Sequence, residues 1–145
     1  MAITRNNYTG PFSHQFQTRV RYAEIDQMGL AYHSRYLEWF EAARTEMLRD
    51  MGLPYKNLEK DGLFLPLVEA YCRYVKPVYY DELITVHTRV KMINRLKLHL
   101  EYQLFGEIND ILRAEGYTLH CFVDFEGKPV RANNSLVKFI GSGEW

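Results

Sequence analysis

The chain changes period twice. From His14 to Tyr22, Phe16, Val20 and Tyr22 share one parity, while Gln15, Gln17, Arg19 and Arg21 take the other. That alternation predicts a strand with one covered face. A polar, glycine-containing stretch from Ala23 to His33 breaks it. From Arg35 the spacing becomes helical: Tyr36, Trp39, Phe40, Ala43, Met47 and Met51 form an apolar stripe opposite Glu38, Glu41, Thr45 and Arg49. Ser34 stands where a helix N-cap belongs, and Gly52 with Pro54 ends the run. A short helical turn is expected at Tyr55 to Lys60.

Strand signals fill the remainder. Leu63 to Val75, Leu83 to Met92, Lys97 to Phe105 and Ile111 to Phe125 follow at hairpin spacing. Asn94 and the Asn109-Asp110 pair mark turns. Lys97 to Phe105 alternates almost without a break, whereas Ile111 to Phe125 is apolar on both parities in places, as suits a central strand. A second short helix is expected from Asn134 to Ile140. One strand, a long helix and a run of four strands predict an α+β fold with the helix packed across an antiparallel sheet.

Composition narrows the function. At 145 residues the chain fits a single domain, 1-145, with loose ends at 1-11 and 141-145. Hydrophobic residues make up 47% and charged residues 25%, an ordinary globular balance. Eighteen basic and eighteen acidic residues cancel, which weighs against a nucleic-acid binder. No apolar run approaches a membrane span, and the first sixteen residues lack the apolar core of a secretory signal, so a cytoplasmic protein is expected. Cys72 and Cys121 lie far apart inside strand-like runs and read as reduced core thiols.

Chemistry concentrates between Tyr22 and Tyr36. This stretch joins a strand end to a helix start and sets Asp26 one short loop from free helix amides. Those amides and the helix dipole favour negative charge, so they would polarise a carbonyl and stabilise an oxyanion formed on it. An aspartate, ordinarily ionised at neutral pH, is able to attack such a carbonyl or to deprotonate a water that does. Plainer roles stand beside these: Asp26 as a turn former, His33 as a surface or capping residue, Glu24 as a solvated carboxylate, and Tyr22 and Tyr36 as core or pocket wall.

The series Tyr22-x-x-x-Asp26-x-x-Gly29-x-x-x-His33-x-x-Tyr36-Leu37, followed by Phe40-Glu41-x-x-Arg44, resembles the 4-hydroxybenzoyl-CoA thioesterase-like branch of the hotdog fold. Within it the chain is most similar to the YbgC/FadM-type acyl-CoA thioesterases. The likeness continues through Gly52-Leu53-Pro54-Tyr55, Pro66 to Ala70, Pro77 to Asp81 and Gly127 to Arg131, most of the chain in order. It implies a five-stranded antiparallel sheet around a long central helix, and hydrolysis of an acyl-CoA to a carboxylic acid and free CoA. Asp26 would be nucleophile or general base, and the His33 amide would polarise the thioester carbonyl. Gly29 would let the loop pass close to the substrate, with Tyr22 and Tyr36 at pocket positions. The resemblance also implies a homodimer or homotetramer with a site between subunits, and no cofactor beyond the coenzyme A of the substrate.

Leu30, Ala31 and Tyr32 depart from the valines that relatives often carry there, and Arg35 replaces a common small or amide residue, which bears on acyl preference. Another hotdog branch uses a helix glutamate, for which Glu41 is the candidate, although its helical phase places it with the polar residues. Arg95 and Lys97, with Lys91 and Arg131, are candidates for the phosphates of CoA. A non-catalytic acyl-CoA or lipid-binding protein and an acyl-carrier-protein thioesterase are the alternatives. No GxSxG elbow, P-loop, GxGxxG or HExxH is present.

Overall fold

A computed structural model describes residues 13–108, 111–132 and Leu136. The expected loose ends, the Asn109-Asp110 turn and all of the expected Asn134–Ile140 helix except Leu136 lie outside the described residues. The elements are β1 (Ser13–Arg19), a single 3-10 turn (Tyr22–Glu24), α1 (Arg35–Asp50), α2 (Tyr55–Lys60), β2 (Leu67–Tyr74), β3 (Leu83–Ile93), β4 (Lys97–Phe105) and β5 (Leu112–Cys121). The strands form one antiparallel sheet in the order β1-β3-β4-β5-β2. The α+β expectation is met.

Helix α1 lies against the sheet through Tyr36, Trp39, Phe40, Ala43, Met47 and Leu48, all buried. The buried stripe takes in Leu48 and leaves Met51 only half-buried, because Met51 follows the last helical residue. Phe40 stacks on Tyr102 of β4 with ring centroids 4.4 Å apart and an interplanar angle of 7°. The Tyr102 hydroxyl is hydrogen-bonded to Thr118 Oγ1 at 2.7 Å, so the largest buried polar group in this layer has a partner.

Two local readings are corrected. The first strand stops at Arg19, and Tyr22 enters the 3-10 turn instead of extending β1. Ser34 does not cap α1 through its side chain: its backbone is already helical (φ −70°, ψ −20°), whereas a capping hydroxyl needs the extended geometry that aims it back at the first turn. The amide-rich end of α1 is therefore left without a side-chain acceptor. Among the described residues, no helix is long and apolar enough to cross a membrane.

Gly116 sets how closely β2 approaches β5. It pairs with Cys72 of β2 and Tyr102 of β4. A Cβ there would stand 2.0 Å from the Tyr71 carbonyl oxygen and 3.1 Å from the Phe40 ring. Backbone cannot yield as a flexible side chain does. Gly116→Ala is expected to lower stability by about 3 kcal/mol, read from the urea unfolding midpoint.

Candidate active site

The loop between β1 and α1 is closed by its own aspartate. Asp26 Oδ1 accepts from the amides of Met28 (2.8 Å) and Leu30 (3.2 Å), the Asp26 amide donates to the Leu30 carbonyl (2.8 Å), and the Gly29 amide to the Asp26 carbonyl (3.0 Å). Gly29 holds φ +78°, a left-handed conformation that side-chain-bearing residues adopt only with strain. Asp26 is thus a turn former, as one reading of the sequence had it. Its second oxygen, Oδ2, makes no hydrogen bond among the described residues.

The loop is pinned on three sides. The Ala31 amide donates to Val78 O at 2.8 Å and the Tyr80 amide to Gly29 O at 3.3 Å, both toward the segment between β2 and β3. Glu24 ties it to the helix. Its carboxylate accepts from Trp39 Nε1 at 2.8 Å and from the Arg21 amide at 2.7 Å, while its carbonyl accepts from the Tyr32 amide at 2.9 Å. Glu24 is only 3% exposed, so the expectation of a solvated carboxylate is corrected. The burial is sustained because each oxygen finds a donor, one of them on α1 fifteen residues away.

Asp26 and the start of α1 open onto one cavity of about 380 Å³. Leu30, Ala31, Tyr32, His33 and Tyr36 form one side; Tyr74, Val75, Lys76 and Pro77 form the other. Among the described residues, nothing accepts the His33 backbone N–H. Burial pushes the Tyr36 phenol up to about 12, so it stays protonated. The cavity thus has a carboxylate with a free oxygen, an uncapped helix end and an aromatic wall. A carbonyl held between the first two would face a negative group on one side and amide donors on the other.

Not all of the candidates meet there. Asp26, His33 and Tyr36 line the cavity, and Gly29 shapes its loop. Tyr22 is 76% exposed, packs edge-on against Tyr80 with centroids 5.7 Å apart, and is absent from the cavity wall, because the 3-10 turn carries it outward. Arg95 and Lys97 stand at the β3–β4 turn. Lys97 pairs with Cys121, whereas Leu104 pairs with Ala114, which pairs with Tyr74 at the cavity. Seven residues of strand separate the two ends, roughly 24 Å. Arg95 O accepts from Ala132 N, which sets Arg131 beside the same turn. The sequence reading missed Lys76, a cation on the cavity wall that directly precedes the quoted Pro77 to Asp81 stretch.

Glu41 lies elsewhere. With Arg44, Thr45 and His120 it lines a smaller cavity of about 90 Å³ between α1, α2 and the sheet. His120 Nδ1 donates to Leu65 O (3.1 Å), its Nε2 is hydrogen-bonded to Thr118 Oγ1 (2.9 Å), and burial with the nearby Arg44 charge lowers its pKa to about 4. Among the described residues, no cluster of three or more His, Cys, Asp or Glu is arranged for a metal ion.

Comparison with known proteins gives a consistent result. The family model described as the thioesterase-like superfamily matches residues 20–140. A protein of Aquifex aeolicus (strain VF5) is 39% identical over 125 residues, 86% of this chain and 95% of that one. The acyl-CoA thioester hydrolase YbgC of Escherichia coli O157:H7 is 24% identical over 123 residues, 85% of this chain and 92% of its own. Among solved structures, the DHNA-CoA thioesterase of Staphylococcus aureus superposes with a TM-score of 0.83 at 30% identity, covering 90% of this chain and 87% of that one.

The state of His120 makes stability depend on pH. The unfolded chain binds its proton near pH 6.5 and the folded chain only near pH 4, so between these values the unfolded state holds more protons. Unfolding free energy should fall as the pH drops from about 6.5 to 4, by up to about 3 kcal/mol. Denaturant titrations across that window should give this slope, and His120→Gln should flatten it.

Proposed function

The chain belongs to the thioesterase-like superfamily, and from that premise we propose that it hydrolyses acyl-CoA thioesters with Asp26 as the reacting carboxylate. One observation carries the proposal: Asp26, whose Oδ2 has no hydrogen-bond partner among the described residues, and the uncapped start of α1 line one cavity. The thioester carbonyl oxygen accepts from the His33 N–H, which makes its carbon electrophilic. Asp26 Oδ2 then delivers the attack, either on that carbon directly or through a water that it deprotonates. The negative charge gathering on the carbonyl oxygen lies at the positive end of the helix dipole. Collapse breaks the carbon–sulfur bond and expels CoA, whose thiolate takes up a proton. The water route yields the carboxylic acid at once, whereas on the direct route a water then hydrolyses the acyl–Asp26 anhydride to the acid and restores the carboxylate. Neither route requires a metal or redox cofactor. The names of YbgC and of the Staphylococcus aureus enzyme support a CoA thioester as the substrate.

The working unit we infer is a homodimer joined at β2. That strand pairs with β5 on one side, its other edge is unpaired among the described residues, and Leu67, Val68, Tyr71 and Tyr74 are exposed along it. An exposed apolar edge of this kind is a template for a second copy. Two copies that keep their helices on the same face of a continuous sheet must run their β2 strands antiparallel. The Tyr74 end of one protomer then lies beside the Leu67 end of its partner. Leu67 pairs with His120, and His120 with Leu98, so the β3–β4 turn follows onto the same side. Arg95 and Lys97 would thereby serve the phosphates of a CoA bound at the partner's Asp26, although both are remote from their own.

Thiol release from a panel of acyl-CoAs tests the chemistry. Asp26→Asn should lower kcat by at least about 100-fold with folding intact; equal rates in both proteins would remove Asp26 from the mechanism. Binding of acyl-CoA without turnover by the wild type would mark a carrier instead. Light scattering at micromolar concentration should give a mass of at least two chains.

A further inference from the structure

We infer that Tyr74 is a positioning residue for the amide end of this site. It holds the peptide that leads into α1 so that the His33 N–H, which has no acceptor among the described residues, keeps a fixed orientation at the cavity wall. The Tyr74 hydroxyl donates to the His33 carbonyl at 2.8 Å, a hydrogen bond from the end of β2 to a residue forty-one positions earlier. That carbonyl and the Ser34 N–H belong to one peptide plane.

The plane on the other side of the His33 Cα has its own anchor. The Tyr32 carbonyl, which shares a peptide with the His33 N–H, accepts from the Arg35 amide at 2.9 Å. Both planes flanking His33 are therefore fixed, one by backbone and one by a side chain from another element. Ser34 contributes no side-chain cap and the Arg35 guanidinium ties the turn to Ala23 O at 3.2 Å, so the Tyr74 hydroxyl is the side-chain hydrogen bond that holds the His33 carbonyl itself. Its ring is steadied in turn, edge-on to buried Tyr36 with centroids 4.8 Å apart at 88°. Burial raises the Tyr74 phenol above its ordinary range, so it remains a donor at neutral pH. Small displacements of a donor from the developing oxyanion are costly in rate, because the reward for alignment comes in the transition state.

This inference rests on the thioesterase reading, and its test separates the two. Tyr74→Phe keeps the ring, its contact with Tyr36 and the cavity wall, and removes only the O–H. In an amide NMR spectrum of the unliganded protein, the His33 and Ser34 signals should shift and their hydrogen exchange should quicken. With acyl-CoA, kcat should fall about tenfold, with KM within about twofold and Tm within about 2 °C of wild type. Unchanged amide signals would overturn the inference, as would altered signals with an unchanged kcat. A raised KM at constant kcat would reduce Tyr74 to a binding wall and overturn it too. A wild type that turns over no acyl-CoA would sink the thioesterase reading, while the amide signals would still decide whether Tyr74 holds the helix start.

Discussion

The buried carboxylate of Glu24 is the constraint on which the site depends. It receives the Trp39 indole N–H and the Arg21 amide, and the same residue's carbonyl receives the Tyr32 amide. One residue thereby joins the end of β1, the far side of the Asp26 loop and the second turn of α1. Without this clamp, a loop of polar residues would have no fixed relation to the helix it precedes. With it, Asp26 and the first amides of α1 become parts of one rigid unit. A carboxylate at 3% exposure is stable only when its oxygens are satisfied, so the clamp also specifies where the Trp39 ring must pack.

The proposed chemistry rests on two hydrogen-bonding capacities left unused. Asp26 spends one oxygen on the Met28 and Leu30 amides and keeps the other free. Helix α1 starts without a capping side chain, so its positive end remains exposed to whatever enters the cavity. A serine hydroxyl bonded back to the first turn would have competed with a ligand for those donors. The same economy appears in the wall: Tyr36 and Tyr74 supply apolar ring surface while their hydroxyls remain protonated donors.

Much of this architecture was legible in the order of residues. The Lys97–Phe105 strand and the Tyr55–Lys60 helix have the bounds their patterns predict, and α1 begins at Arg35 where the period changes. These are local features, decided by alternation and by helical phase. What escaped was decided at a distance. Glu24 looked solvated because its partner, Trp39, lies fifteen residues on; Ser34 looked like a cap because its backbone angles are invisible in sequence. Lys76 reaches the cavity only because β2 pairs with β5 and sets its end beside His33, a tertiary fact with no local signal. Charge and turn position make Arg95 and Lys97 candidates for CoA phosphates, and the strand register places them at the opposite end of their own protomer's sheet.

The central claim is geometric: a thioester carbonyl sits between the free oxygen of Asp26 and the amide tip of α1. A crystal structure with an acyl-CoA analogue, its thioester sulfur replaced by methylene so that the carbonyl survives, addresses it directly. The carbonyl oxygen should lie within hydrogen-bonding distance of the His33 N–H, with the carbonyl carbon facing Asp26 Oδ2. An analogue seated in the cavity with its carbonyl turned away from both groups, or bound at another site altogether, would contradict it.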